Sequence, residues 1–329
     1  MKSPFTGKEM TLVYEKRTWN FRGEQYEYVH AAWLCVDTGE KFTTDELDDA
    51  DFVQVTNQYR AKYGIPFTDE IVAVREKYGL SAAKMSQILG IGTNQWRNYE
   101  TGEVPNVSNG RMIRSIMDPK VFLNYVDSSK NILGEKEYNK LVLKSESLVD
   151  EFDKHEIVKY DIARIYQCER GTHNGFAQRS LDRLKNVLLY ILNQCGEVFC
   201  TKMNKLLFYA DFLAYRRLGM ALTGLSYRAI EFGPVPERWD RVYSQFDEIV
   251  QEPRSYGDKE GCVLTSSISA NTEIFTSEEI DVLNDVCSKF SNSSSSEMTR
   301  ISHEENAWID NKEGHKRIPF VSAFELKAI

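Results

Sequence analysis

Between Thr68 and Gly102 three short amphipathic segments are each closed by a glycine, and this punctuation leaves room only for small helices packed on one another. Thr68 stands as an N-cap, with Asp69 and Glu70 in a first turn whose dipole favours acids. Ile71, Val74 and Tyr78 form an apolar stripe, and Gly79 supplies the stop. Ser81 then caps a second helix that turns Met85, Ile88 and Leu89 inward, while Ala82 and Ala83 let a neighbour approach. Gly90-Ile91-Gly92 is a tight turn. Thr93 caps a third helix, Asn94 to Glu100, closed by Thr101-Gly102, and Val104-Pro105 interrupts the chain before a helix at about Ser108–Met117.

A helix, a glycine turn and a polar helix make a major-groove reader. The third helix must then expose groups that bond base edges, and Asn94, Gln95, Arg97 and Asn98 can do so: amides match adenine, a guanidinium matches guanine or phosphate. Trp96 and Tyr99 fall at the spacing that turns back inward. Thr93 joins the candidate DNA contacts, and Lys84, Arg111 and Arg114 are placed as phosphate contacts. The stretch resembles the Xre-type helix-turn-helix, specifically the DNA-binding half of MqsA-like antitoxins, over about 60 residues ending in Tyr99-Glu100-x-Gly102. That resemblance implies an Asn and an Arg four positions apart that read bases. Asn94 matches the first, whereas Asn98 occupies the place of the second, so base preference is expected to differ. A helical domain used only for protein contacts is the alternative. Residues 67–127 carry seven Lys or Arg against seven Asp or Glu, so this segment is neutral inside a chain of net charge −8. With so little phosphate attraction, a homodimer on a palindromic operator is the expected way to gain affinity.

Residues 1–57 alternate like strands, first in Thr11-Leu12-Val13-Tyr14 and again in Tyr26 to Ala31. Ser3-Pro4-Phe5-Thr6-Gly7 and Cys35-Val36-Asp37-Thr38-Gly39 share one shape, that of the paired knuckles of a zinc ribbon, where four thiolates would hold the metal. Here only Cys35 is a thiol; Ser3, Thr6 and Thr38 stand in the other three places. The pattern resembles the N-terminal zinc domain of MqsA-like antitoxins with its ligands lost. We expect the hairpin fold without metal, on a core of Phe5, Tyr14, Trp19, Phe21, Tyr28, Trp33 and Phe42. An unrelated β-hairpin domain is the alternative.

Apolar periodicity is strongest beyond residue 180, beginning with Leu181, Leu184, Val187, Leu188 and Ile191. A break at Gly196 precedes a second helix from about Thr201 to Leu218, capped by Thr201 or Cys200. Residues 221–229 read as an irregular loop or strand pair, and Pro236 as the first residue of a helix through Trp239, Val242 and Tyr243. The serine run Ser291–Ser296 reads as a loop. Lys205-Leu206-Leu207-Phe208-Tyr209-Ala210-Asp211, Thr223-Gly224-Leu225-Ser226-Tyr227, Phe232-Gly233-Pro234-Val235 and His303-Glu304-x-x-x-Trp308, in this order, resemble the Panacea, or SocA-like, antitoxin domain. The resemblance implies a toxin-neutralising domain with a protein toxin as partner. Tyr209, Asp211, Tyr227, Arg228, Trp239 and His303 mix aromatic and charged character and are the candidate toxin contacts; core packing and turn bonding are the alternative for each.

The expected architecture is α+β and mostly helical. It comprises a β-rich domain (1–57), a five-helix helix-turn-helix domain (66–127), a helical connector (128–178, with helical stretches at Tyr138–Phe152 and Val158–Tyr166) and a mainly helical C-terminal domain (179–329). The N-terminus has no apolar leader and no run reaches membrane length, so a cytoplasmic chain with six reduced cysteines and no membrane partner is expected. Catalysis is not expected. His303-Glu304 lacks the second His that a zinc-protease helix needs four positions on, where Ala307 stands. Cys195 and Cys200 are spaced wrongly for C-x-x-C, nothing places Cys200 beside His303, and no Walker or G-x-S-x-G motif occurs. No cofactor is implied. The reading is an autorepressing type II antitoxin; the alternative is a stand-alone transcriptional regulator whose C-terminal domain senses a ligand or protein.

Overall fold

A computed structural model describes residues 1–154, 162–256 and 259–329. The fold is α+β and about half helical, and it divides into two compact units: residues 56–161, and residues 1–55 together with 162–329.

In the second of these, β1 (Thr11–Phe21) and β2 (Glu24–Leu34) pair antiparallel from Thr11↔Leu34 to Phe21↔Glu24 across the two-residue turn Arg22-Gly23, and β3 (Lys41–Phe42) adds to β2. Helix α1 (Asp45–Tyr63) follows, and its residues up to Val55 belong to this unit. The Gln54 side chain acts as an extra strand for β2, accepting from Val29 N–H and donating to Val29 C=O, each at 3.1 Å. His30 Nδ1 meets Asp51 Oδ2 at 2.5 Å in the same buried seam. The expected aromatic core is corrected here. Phe5 is 63% exposed and Trp19 36%, and the interior consists of Met10, Tyr26, Val29, Ala31, Ala32 and Cys35, because α1 covers the small residues of β2.

Residues 56–161 carry α2 (Thr68–Tyr78), α3 (Ala82–Leu89), α4 (Gln95–Glu100), α5 (Val107–Ser115), α6 (Pro119–Ser128) and α7 (Glu135–Lys154). Gly79 and Gly90 end α2 and α3 at φ 65° and 67°, the left-handed stop that a side chain disfavours. Ser81 Oγ accepts from Lys84 N–H, as its position implied. Thr68 is not a cap: it is the first helical residue, and the Glu70 carboxylate accepts the preceding Phe67 N–H. Nor is Thr93 a cap, since α4 begins two residues later at Gln95. Ile71, Val74, Tyr78, Met85, Ile88, Leu89, Trp96 and Tyr99 share one core with Ile113 and Phe122, and Tyr78 stacks on Phe122 at 3.8 Å. Of the stretch read as helical at Val158–Tyr166, residues 158–161 lie outside the described residues and 162–165 are helical.

The remainder of the larger unit is built around α9 (Cys200–Leu218), preceded by α8 (Leu181–Cys195) and β4 (Val198–Phe199). Every residue of α9 from Lys202 to Tyr215 is buried. Around it lie the hairpin β5 (Tyr227–Ile230) and β6 (Gly233–Pro236), the sheet β4-β8-β7 with β7 at Val250–Tyr256 and β8 at Lys259–Thr265, and helices α10 (Ser277–Phe290), α11 (Ser295–His303) and α12 (Asn306–Ile309). Two expectations are corrected. Phe199, not Cys200 or Thr201, precedes the first turn of α9. Pro236 ends a strand paired with Tyr227 and is followed by turns instead of a helix. The serine run is turn and loop up to Ser294, which caps α11, and only its last two residues are helical. Among the described residues no helix is long and apolar enough to cross a membrane.

Candidate functional site

The face of α4 follows from its length and its anchor. Trp96 is wholly buried, its backbone N–H donates to Ser86 Oγ of α3 at 3.1 Å, and its indole donates to Glu100 Oε1 at 2.9 Å. Glu100 also accepts from Arg75 Nε of α2 at 2.6 Å. With Trp96 and Tyr99 inward, Arg97 and Asn98 must point out, and Thr93, Asn94, Arg97 and Asn98 are all exposed. Gln95 is half-buried and donates to Glu103 at 2.8 Å. The expected phosphate contacts differ among themselves. Arg111 is exposed, Lys84 pairs with Glu137 at 3.0 Å, and Arg114 bonds the Gly64 carbonyl at 2.8 Å and lies 3.7 Å from Glu70.

The knuckle residues do converge. Ser3 Oγ donates to Cys35 Sγ at 3.1 Å, Thr6 Oγ1 lies at 3.9 Å, and the Thr38 hydroxyl and backbone N–H also reach the sulfur. Hydroxyl donors, Ser3 foremost, hold the Cys35 thiol down to about 7. One thiol and three neutral hydroxyls do not fit Zn²⁺, which needs deprotonated or imidazole ligands; the hydroxyls satisfy the sulfur in place of a metal.

The C-terminal motifs converge on α9, but their residues face inward. Asp211 is fully buried: Oδ1 accepts from Leu222 N–H at 2.9 Å and Thr223 N–H at 2.8 Å, while Oδ2 accepts from the Thr223 hydroxyl and from Tyr227 Oη at 2.7 Å. Burial raises the Asp211 carboxyl against the pull of these donors. Tyr209 Oη donates to Glu305 at 3.1 Å, and Glu305 in turn accepts Lys327 N–H and Ala328 N–H. Tyr209, Asp211 and Tyr227, expected at a partner surface, are therefore corrected to interior residues that tie distant segments to α9. A mixed aromatic and charged composition marks an interface only where it is exposed.

Lys205 was not singled out by the sequence and is also wholly buried, and its Nζ has no hydrogen-bond partner among the described residues. Desolvation holds its ammonium down to about 8. It packs under Gly233, where a Cβ would stand 3.1 Å from Lys205 Cε and 2.8 Å from Ser302 Oγ at φ 102°, so the Phe-Gly-Pro-Val motif needs its glycine. His303 stacks on Trp308 at 4.0 Å, and burial and the Lys205 charge push its imidazole down. Trp308 donates to the Ile230 carbonyl at 2.7 Å, fixing the hairpin.

Other candidate residues of this region reach the surface. Arg228 is exposed and bonds Glu237 at 2.6 Å, Trp239 is 48% exposed, and Phe232, at the hairpin tip, is 64% exposed. His303 is half-buried. Phe232 could have been found in sequence only as the apolar residue of a two-residue hairpin turn, Glu231-Phe232, where polar residues are usual.

Residues 203–309 match the family described as antitoxin SocA-like, Panacea domain. All four C-terminal motifs lie within that span, and the match points to a toxin–antitoxin-related role. No curated protein and no solved structure matches the chain.

Proposed function

We propose that this chain is the antitoxin of a type II toxin–antitoxin pair, which neutralises a protein toxin by direct binding and represses its own promoter. The observation that carries the reading is the Panacea match over 203–309, joined in one chain to a unit whose shortest helix exposes Asn94, Arg97 and Asn98. Arg228, Trp239 and Phe232, which combine exposure with aromatic or charged character, form the proposed toxin-facing set together with the half-buried His303. Co-expression tests the first half. A small open reading frame beside the gene should arrest growth alone and be harmless when this chain is co-expressed; a neighbour that is harmless alone removes the antitoxin reading and leaves a regulator.

The second half concerns α4. Thr93, Asn94, Gln95, Arg97 and Asn98 are assigned to the major groove, and Lys84, Arg111 and Arg114 to phosphates, with Lys84 exchanging Glu137 for phosphate. A homodimer supplies the affinity that a neutral segment lacks. Arg97→Ala should weaken binding to the gene's upstream DNA by about 1–3 kcal/mol, roughly fivefold to 150-fold. Fluorescence titration at low salt measures this, and equal affinity of variant and parent would remove α4 from the groove.

A further inference from the structure

Four of the six cysteines meet in two pairs. Helices α8 and α10 lie side by side along a ladder of contacts: Arg183 to Glu279 at 2.6 Å, Tyr190 Oη to Asn284 Oδ1 at 2.7 Å, and at the far end Cys195 and Cys287, whose thiols interact. Cys195 is half-buried at the last turn of α8, before Gly196, and Cys287 is buried within α10. Lys202 of α9 brings its charge close to both sulfurs, held in place by a 2.8 Å bond from Nζ to the Ser291 carbonyl. In the other pair the strand register Val198↔Leu264 and Phe199↔Val263 ends one residue short of Cys200 and Cys262, whose thiols interact, and both are half-buried.

The two pairs are chemically different. The contact between the two thiols and the nearby Lys202 ammonium lower the first deprotonation of this pair to about 7, and it falls on the more exposed Cys195, while the buried Cys287 holds its proton more tightly. Burial pushes Cys200 up as well, and the contact with Cys262 pushes it in the same direction. Among the described residues no group of three or more metal-type ligands forms, so the four sulfurs do not make one metal site. An accessible, low-pKa thiolate beside a protonated second thiol is the arrangement that takes up an oxidant and then closes on itself.

We propose that Cys195 and Cys287 form a reversible peroxide-reactive pair that joins α8 to α10 by a disulfide. The Cys195 thiolate attacks one peroxide oxygen and the O–O bond breaks, leaving a sulfenic acid on Cys195 and a hydroxide that takes up a proton to become water. The Cys287 sulfur then attacks the Cys195 sulfur, the S–O bond breaks and a second water leaves with the Cys287 proton. Two thiols lose two electrons in total and one hydrogen peroxide gains them. The product ties α8, which precedes the family-matching segment, to the last third of that segment, closing a loop of about 90 residues that constrains the unfolded chain. A dithiol reductant reverses it. The inference is independent of the antitoxin reading and stands or falls on thiol chemistry alone.

The test uses the full-length reduced protein and stoichiometric hydrogen peroxide, followed by alkylation and mass mapping. Cleavage after both basic residues and glutamate is needed, because Glu197 alone separates Cys195 from Cys200. The expected result is a cross-linked peptide pair containing Cys195 and Cys287, lost on treatment with dithiothreitol, and alkylation of Cys195 at pH 7 roughly tenfold faster than of Cys200. Cys287→Ser should convert the product to a dimedone-trappable sulfenic acid on Cys195, while Cys200→Ser should leave the cross-link intact. A cross-link mapping to Cys200–Cys262, or no cross-link with Cys195 no more reactive than Cys200, overturns the proposal. Both readouts are taken on the unmutated chain, so a variant that fails to fold does not protect it.

Discussion

Asp211→Ala is expected to destabilise the larger unit by on the order of 3–5 kcal/mol, the range seen when a buried charged group is removed from its partners. The reason is the number of donors the carboxylate serves. Leu222 N–H, Thr223 N–H, the Thr223 hydroxyl and Tyr227 Oη all end on its two oxygens, and the residue is fully buried. Truncation leaves four donors without acceptors where water does not reach, at about 1–3 kcal/mol for each that fails to find another partner. Thr223→Val removes only one of the four bonds and should cost about 1–2 kcal/mol. Asp211→Asn keeps the shape but turns an NH₂ toward donors, so it should fall between the two. Urea denaturation of the full chain, followed by far-UV circular dichroism, ranks the three. An Asp211→Ala protein within about 1 kcal/mol of the parent would mean that the carboxylate is not the tie that its geometry describes. The raised carboxyl pKa adds a sign. A group that binds its proton more readily folded than unfolded favours the folded state below the unfolded value and loses that contribution as pH rises through the folded one. Burial therefore makes the ionised Asp211 less favourable at neutral than at acidic pH, and its four hydrogen bonds reduce that penalty without cancelling it.

Local signals were legible in the sequence, and non-local ones were not. Gly79, Ser81 and Gly90 mark helix ends through backbone and side-chain geometry that one residue dictates, so α2 and α3 could be placed from their own residues. The inward turn of Trp96 and Tyr99 followed from helical period alone. Thr68 and Pro236 show the limit of the same reasoning. Both are good helix starters, yet Glu70 reaches back one residue further than Thr68 assumed, and Pro236 is claimed by pairing with Tyr227. α9 was harder still. It carries Lys202, Asn204, Lys205 and Asp211 on a helix whose interior is entirely buried, and a sequence window sees only polar residues among apolar ones. The acceptors and donors that make them tolerable sit far along the chain: Thr223, Tyr243 and Ser291 for three of them, and for Lys205 none among the described residues. The same distance hid the meeting of Cys195 with Cys287, and the grouping of residues 1–55 with 162–329.

Trp96→Ala is expected to cost about 3–5 kcal/mol in the unit spanning residues 56–161, as large-to-small changes of a buried tryptophan do. The cavity is only part of the effect. α4 has six residues, too few to be helical in isolation, so its place depends on what it packs against. Trp96 is that anchor: its ring fills the core shared by Met85, Ile88 and Tyr99, and its indole N–H meets the Glu100 carboxylate that also binds Arg75. Without the ring, nothing holds Asn94, Arg97 and Asn98 in one orientation, and sequence-specific DNA binding should be lost even in molecules that remain folded. Trp96→Phe separates the two contributions. It keeps most of the buried surface and removes the indole hydrogen bond, so a loss of about 1–2 kcal/mol is expected. Two units need not unfold together, so the measurement is hydrogen exchange by mass spectrometry, which reads each one separately. Protection should fall in peptides from residues 68–128 and stay at the parent level in those from α9. Equal loss in both sets would show that the two units unfold as one, and undiminished protection around α4 would show that Trp96 does not anchor it.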